Sequence, residues 1–224
     1  MADKLSKIEL EEPDKLQVFY EEFLDYASKN RTKLAIIAAA VVAVILIIGG
    51  WFIYDRHYEK KADELYWSAF PLEKSDDARG VDAAVKTYGD LLAQYPRSDA
   101  AVFASYRLGN LFFKAGKFDE AIGFYNGFLD KASGNNDLKT LVLSALGAAY
   151  EGKKNLKKAL EYYEKAIVTP ADNGFVGLNY QNAGRIYEEM KNKAKALEYY
   201  KKALAITVDP AAEILIKRKI AQNS

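Results

Sequence analysis

The chain has 224 residues, room for one domain of ordinary size plus a tail, and its 32 basic and 31 acidic side chains nearly cancel. With no basic stripe, it lacks the electrostatic footprint of a nucleic-acid binder. The absence of cysteine removes disulfides, thiolate nucleophiles and Cys-held metals, and the single histidine, His57, can build neither a metal cluster nor a His-based dyad. No cofactor, metal or catalytic residue is expected, and acid/base chemistry would have to rely on carboxylates.

Residues 1–33 form an N-terminal tail with eight acids and six bases. Within it, LQVFYEEFLDYASKNR places Leu16, Phe19, Tyr20, Phe23 and Leu24 on one helical face and Glu21, Glu22 and Asp25 on the other. An acidic polar face suits a protein partner better than an anionic lipid surface. A short helix without a specific role is the bland alternative.

Residues 34–54 follow, 21 in number and uncharged. At 1.5 Å per residue a helix of that length reaches roughly 31 Å, the depth of a bilayer core. Twelve of them are Leu, Ile, Val or Phe, which together favour insertion by about 5 kcal/mol. Trp51, Phe52 and Tyr54, ahead of Asp55 and Arg56, read as an interfacial aromatic belt. The run is too long and starts too late for a cleaved signal peptide, so a single transmembrane helix is expected.

Lys29, Arg31 and Lys33 on one side face Arg56, Lys60 and Lys61 on the other. The N-side charges stand closer to the run, which favours the N-terminus inside. Ala35, Ala39 and Ala43 share a face and would permit a helix–helix contact, with plain lipid-facing filler as the alternative.

Residues 55–224 carry a repeat. RHYEKKADELYWSAF has helical spacing up to Pro71 and is expected to rise from the anchor into the domain. Alanine–tyrosine pairs then fall at Ala84/Tyr88, Ala121/Tyr125, Ala159/Tyr163 and Ala196/Tyr200, at steps of 37, 38 and 37 residues. Gly109, Gly147 and Gly184 precede the last three pairs, each followed by an aromatic, Phe112, Tyr150 and Tyr187. Turn-prone pairs such as Ala115-Gly116 and Lys191-Asn192 lie between, so the element is helix, short turn, helix. Glycine against alanine would let the paired backbones approach, and the aromatics would fill the space between neighbouring repeats. SGNNDLK and TPADNGF read as connections, and PAAEILIKRKIAQNS as a capping helix.

These residues resemble the tetratricopeptide repeat (TPR). Gly147, Tyr150, Ala159, Tyr163 and Ala166 fill its pattern, as do Gly184, Tyr187, Ala196, Tyr200 and Ala203, while Phe128 replaces the last alanine one repeat earlier. The first repeat keeps only its second helix by motif, with Ala84, Tyr88, Leu91 and Pro96. The resemblance implies an all-α solenoid whose first helices line a protein-binding groove. It places Phe103, Tyr106, Asn110, Phe113 and Lys114 there, then Leu141, Ser144, Ala148 and Glu151, then Leu178, Gln181, Arg185, Glu188 and Glu189. Phe103, Tyr106 and Phe113 would carry an apolar anchor, or pack on the preceding helix instead, and the charged last repeat would select. A carboxylate clamp is not expected, since Tyr106 and Leu178 stand where it needs lysine.

The layout of tail, single anchor and repeats also resembles the YfgM-type ancillary subunits of the bacterial Sec translocon. That implies an inner-membrane protein, N-terminus cytoplasmic and repeats periplasmic, whose partners are translocon subunits, membrane-tethered folding factors or exported clients. A scaffold of a secretion, pilus or cell-envelope complex is the other reading.

Overall fold

A computed structural model of the chain describes residues 15–75, 77–132, 136–170 and 174–224; the connections at 133–135 and 171–173 and the tail before Lys15 lie outside them. The described residues form helices joined by short turns, without a strand. The chain divides into two compact units, Met1–His57 and Tyr58–Ser224.

The first unit holds α1 (Lys15–Lys29) and the larger part of α2 (Arg31–Ala69). Leu16, Phe19, Tyr20, Phe23 and Leu24 of α1 are all exposed. Across the junction the amide of Asn30 donates to the Tyr26 carbonyl and that of Leu34 to Asn30, each at 3.0 Å. The apolar stretch of α2 is uncovered: Ile36 is 65% exposed, Ile47 71% and Ile53 75%. By length and composition α2 is able to cross a membrane.

The second unit is a stack of antiparallel helix pairs. The last turns of α2 and α3 (Ala78–Gln94) make the first pair, linked by a 3-10 helix at Leu72–Lys74. Then come α4 (Asp99–Lys114) with α5 (Phe118–Lys131), α6 (Asn136–Gly152) with α7 (Leu156–Val168), and α8 (Phe175–Glu189) with α9 (Lys193–Ile206). Each second helix also packs on the next pair's first, and α10 (Pro210–Asn223) covers α9.

Local chemistry sets the boundaries. Ser98 caps α4 by accepting from the Ala101 amide, Asn155 and Asn192 cap α7 and α9 from Lys158 and Lys195, and Asp209 caps α10 just before Pro210. The turn inside each of the last three pairs needs a left-handed residue. Gly116 supplies it at φ 72°, but Lys154 and Lys191 are forced to φ 60° and 61°.

The core runs the length of the stack. Ala62, Ala69, Ala84, Tyr88, Leu91, Ala104 and Leu108 bury one end, Tyr125, Phe128, Val142 and Leu146 the middle, and Tyr163, Ile186, Tyr200, Ala203 and Ile216 the other end. Each fully buried large side chain contributes about 1.5–3 kcal/mol of transfer free energy.

Two packing expectations are corrected. The glycines do not receive the partner alanine; each receives a tyrosine ring. A Cβ on Gly109 would lie 2.4 Å from Tyr125 Cε1, and one on Gly147 2.6 Å from Tyr163 Cε1. The second is corrected in part. Phe112 stacks on Phe124 at 5.3 Å, Tyr150 on Tyr162 at 5.2 Å, and Tyr187 tilts against Tyr199 at 5.0 Å, each within its own helix pair, while Tyr187 also reaches the preceding repeat by donating to Glu164 of α7 at 3.1 Å. The reason is register: the ring three residues past the glycine points at the partner helix one residue before the buried tyrosine.

The first helix of the first repeat, invisible by motif, is the end of α2. Ala62 and Ala69 are fully buried, and Tyr66 meets Tyr88 at 5.7 Å. Tyr58 and Glu59 accept from the Arg97 and Asp99 amides at 3.2 and 3.1 Å, tying that helix to the start of α4.

Candidate partner groove

The residues expected in the groove lie on the first helix of each pair, and their charged members are largely committed to one another. In three of the four repeats the buried tyrosine reaches a carboxylate that the following element neutralises. Tyr88 donates to Glu73 at 3.1 Å, and Arg107 Nη1 of α4 holds Glu73 at 3.0 Å. Tyr163 donates to Glu151 at 3.1 Å, and Arg185 of α8 grips Glu151 with both Nη atoms, Nη2 at 2.8 Å. Tyr200 donates to Glu188 at 2.7 Å, while Lys219 and Asn223 of α10 donate to it at 2.8 and 2.5 Å. A tyrosine–carboxylate–cation link thus ties each of these repeats to the next element.

Electrostatics follow the geometry. Burial alone would raise the Glu151 and Glu188 pKa values, but the donors around each outweigh it and hold both carboxyls below their ordinary value of 4.5. Tyr88, Tyr163 and Tyr200 are pushed far up, first by burial and then by the neighbouring carboxylate. These hydroxyls are permanent donors at neutral pH.

Between the second and third repeats the link is missing. Phe113 and Ala148 stand where the next junction has Glu151 and Arg185, and Tyr125 donates to Asn110 of its own repeat at 2.8 Å. This junction closes instead on Tyr125, Phe128, Val142 and Leu146.

Accordingly, Glu151, placed in the groove, and Arg185 and Glu188, expected to select a partner, serve first as internal links. Glu189, 3.7 Å from Arg185, adds to the same network. Ser144 is also engaged, donating to Asn179 Oδ1 at 2.7 Å. Asn179 and Thr140 are fully buried with Nδ2 and Oγ1 unpaired among the described residues.

The remaining groove residues fall into separate clefts. Asn110, Phe113 and Lys114 line one of about 220 Å³ beside Glu73 and Arg107. Phe103, 42% exposed, opens on another of about 220 Å³ with Phe128 and Leu138. Leu178, Gln181 and Arg185 line the largest, of about 430 Å³, against α10. Tyr106 belongs to none of them. It sits 6.3 Å from the Tyr125 ring and 6.0 Å from Phe128, so it packs on the core as Phe103 does not. Leu141 is half-buried. Arg107 was missed by pattern reading; its only sequence signal is that it stands 34 residues after Glu73, as Arg185 stands 34 after Glu151.

No donor set for a metal ion is found among the described residues. A stack of paired helices with an open, side-chain-lined inner face is the architecture of TPR-type interaction modules. Comparison with known families places residues 30–222 in the tetratricopeptide repeat-like domain family, and the chain belongs to it. No curated protein matches the chain.

Solved structures share the fold. A MamA protein superposes at TM-score 0.57 with 20% identity, over 72% of this chain and 81% of that one. MamA from Desulfovibrio magneticus RS-1, from residue 41 to its end, gives 0.54 at 21%, over 67% and 78%. Nearly identical TPR-like repeats from Podosopora anserina, in a Q17M form, give 0.58 at 13%, over 74% and 86%.

Proposed function

We propose that this protein is a single-pass membrane protein whose repeat domain captures protein partners beside the bilayer and catalyses nothing. The observation that carries this reading is the uncovered apolar stretch of α2 immediately ahead of a repeat domain whose groove still offers exposed Phe103 and Leu178. A helix so apolar and so uncovered is costly in water and stable in lipid. The closer positive charges before the stretch favour a cytoplasmic N-terminus and periplasmic repeats in a bacterial inner membrane. The layout supports an ancillary role at the Sec translocon, where the groove would hold translocon subunits, membrane-tethered folding factors or exported clients.

A photo-crosslinking amino acid placed in cells at Phe103 or Leu178, and as control at exposed Lys157 of α7, tests the reading. Translocon or folding-factor adducts from the groove positions and not from Lys157 are expected. Adducts confined to secretion, pilus or envelope-assembly components would transfer the protein to a scaffold role. Equal labelling from all three positions would remove the groove from the function.

A further inference from the structure

We propose that the cleft between α8 and α10 is a docking site for an acidic partner segment that carries an aliphatic or aromatic side chain. This deepens the groove reading above and rests on it. Leu178 on α8 is 46% exposed and Leu215 on α10 57% exposed, and both line the cleft, which has room for a large apolar side chain at about 430 Å³. The charged residues lining it are Arg185, Arg218 and Lys219, with no carboxylate among them. Glu151 and Glu189 hold Arg185, and Glu188 holds Lys219. Arg218 is exposed, and no carboxylate pairs with it among the described residues. The cleft therefore presents two exposed leucines and one unmatched cation, beside a paired network whose positive members face inward to it.

The capping helix thus supplies one wall of a binding surface in addition to closing the core. Ile216 and Asn223 do the closing, being buried. Leu215 and Arg218 do not contribute to it. A carboxylate arriving at Arg218 meets a cation that no described carboxylate pairs with, whereas a basic segment there meets like charge in the cleft lining.

The full-length protein in detergent micelles is panned against a random-peptide phage library, and enriched peptides, fluorescein-labelled, are titrated by anisotropy. The expected consensus pairs Leu, Ile or Phe with Asp or Glu. Leu215→Ser, Leu178→Ser and Arg218→Glu should each weaken binding about tenfold or more while Lys157→Ser on α7 leaves it unchanged. Binding should also weaken as salt rises from about 0.05 to about 0.3 M. Circular dichroism checks that the variants, all at exposed positions, keep wild-type helicity.

A basic or uncharged consensus overturns the proposal. Peptides that lose binding with Phe103→Ser but ignore the changes at Leu178, Leu215 and Arg218 overturn it and leave the groove reading standing. A library that yields no enriched peptide overturns both.

Discussion

Gly109, Gly147 and Gly184 are hydrogen-sized gaps that a tyrosine ring fills from the partner helix. An added methyl would lie 2.4 Å from the ring at Gly109, 2.6 Å at Gly147 and 3.0 Å at Gly184. Since these rings are buried and cannot swing aside, Gly109→Ala and Gly147→Ala should each cost about 1–3 kcal/mol, and Gly184→Ala less. Urea unfolding of the three variants would show that order. The opposite sign is expected at Lys154 and Lys191, whose left-handed backbone costs about 1–2 kcal/mol. Lys154→Gly and Lys191→Gly should raise stability by up to about 1 kcal/mol after the entropy of the freer chain is deducted. Thermal midpoints that fall for these two changes would show the strain to be absorbed elsewhere.

At the scale of elements, the links between helix pairs set the response to acid. Glu151 and Glu188 have folded pKa values below 4.5, so their contribution is complete above the unfolded value and is lost as pH falls through the folded one. The thermal midpoint should therefore drop as the pH falls below the ordinary carboxyl value of 4.5, and the Glu151→Gln/Glu188→Gln double variant should be less stable at neutral pH and lose less on acidification. A variant as acid-sensitive as the parent would place the titration elsewhere. Removing α10 from Asp209 onward should expose Tyr200 and Ala203 and strip Lys219 and Asn223 from Glu188. A loss of at least about 3 kcal/mol is expected, read as early exchange of α8 and α9 amides in hydrogen-exchange mass spectrometry.

The same scale shows what could be read beforehand. The alanine–tyrosine period was legible because packing repeats with the chain, and so were the turns and the capping helix that opens at Pro210. The first helix of the first repeat was not, because its small residues, Ala62 and Ala69, sit on α2 without the glycine that marks the others. The internal links were not legible either. They join residues 31 to 35 apart whose meeting depends on how one pair stacks on the next, so Glu151, Arg185 and Glu188 looked like free groove charges. The packing of Tyr106 was not legible for a similar reason: its spacing puts it on the groove side, and Phe128, standing where the pattern expects alanine, gives it a ring to pack on.

For the whole molecule, the proposed membrane attachment and the stability of the stack should respond to alkali in different ways. Tyr88, Tyr163 and Tyr200 keep their protons well above the ordinary tyrosine range because burial and nearby carboxylates oppose ionisation. Folding is thus stabilised below the unfolded tyrosine pKa, and that stabilisation is lost as pH rises through the folded values. Carbonate extraction at about pH 11 should loosen the repeats yet leave the chain in the pellet, because the insertion of α2 does not depend on ionisable groups. Release of the chain into the supernatant would separate α2 from the bilayer.

The most direct measurement is protease accessibility in intact spheroplasts, followed with one epitope at each end of the chain. A single-pass anchor with outward-facing repeats predicts digestion of the repeat domain from outside, leaving a protected fragment that ends near Asp55 and keeps the N-terminal epitope. Full protection until the membrane is lysed, with both epitopes then cut together, would contradict it.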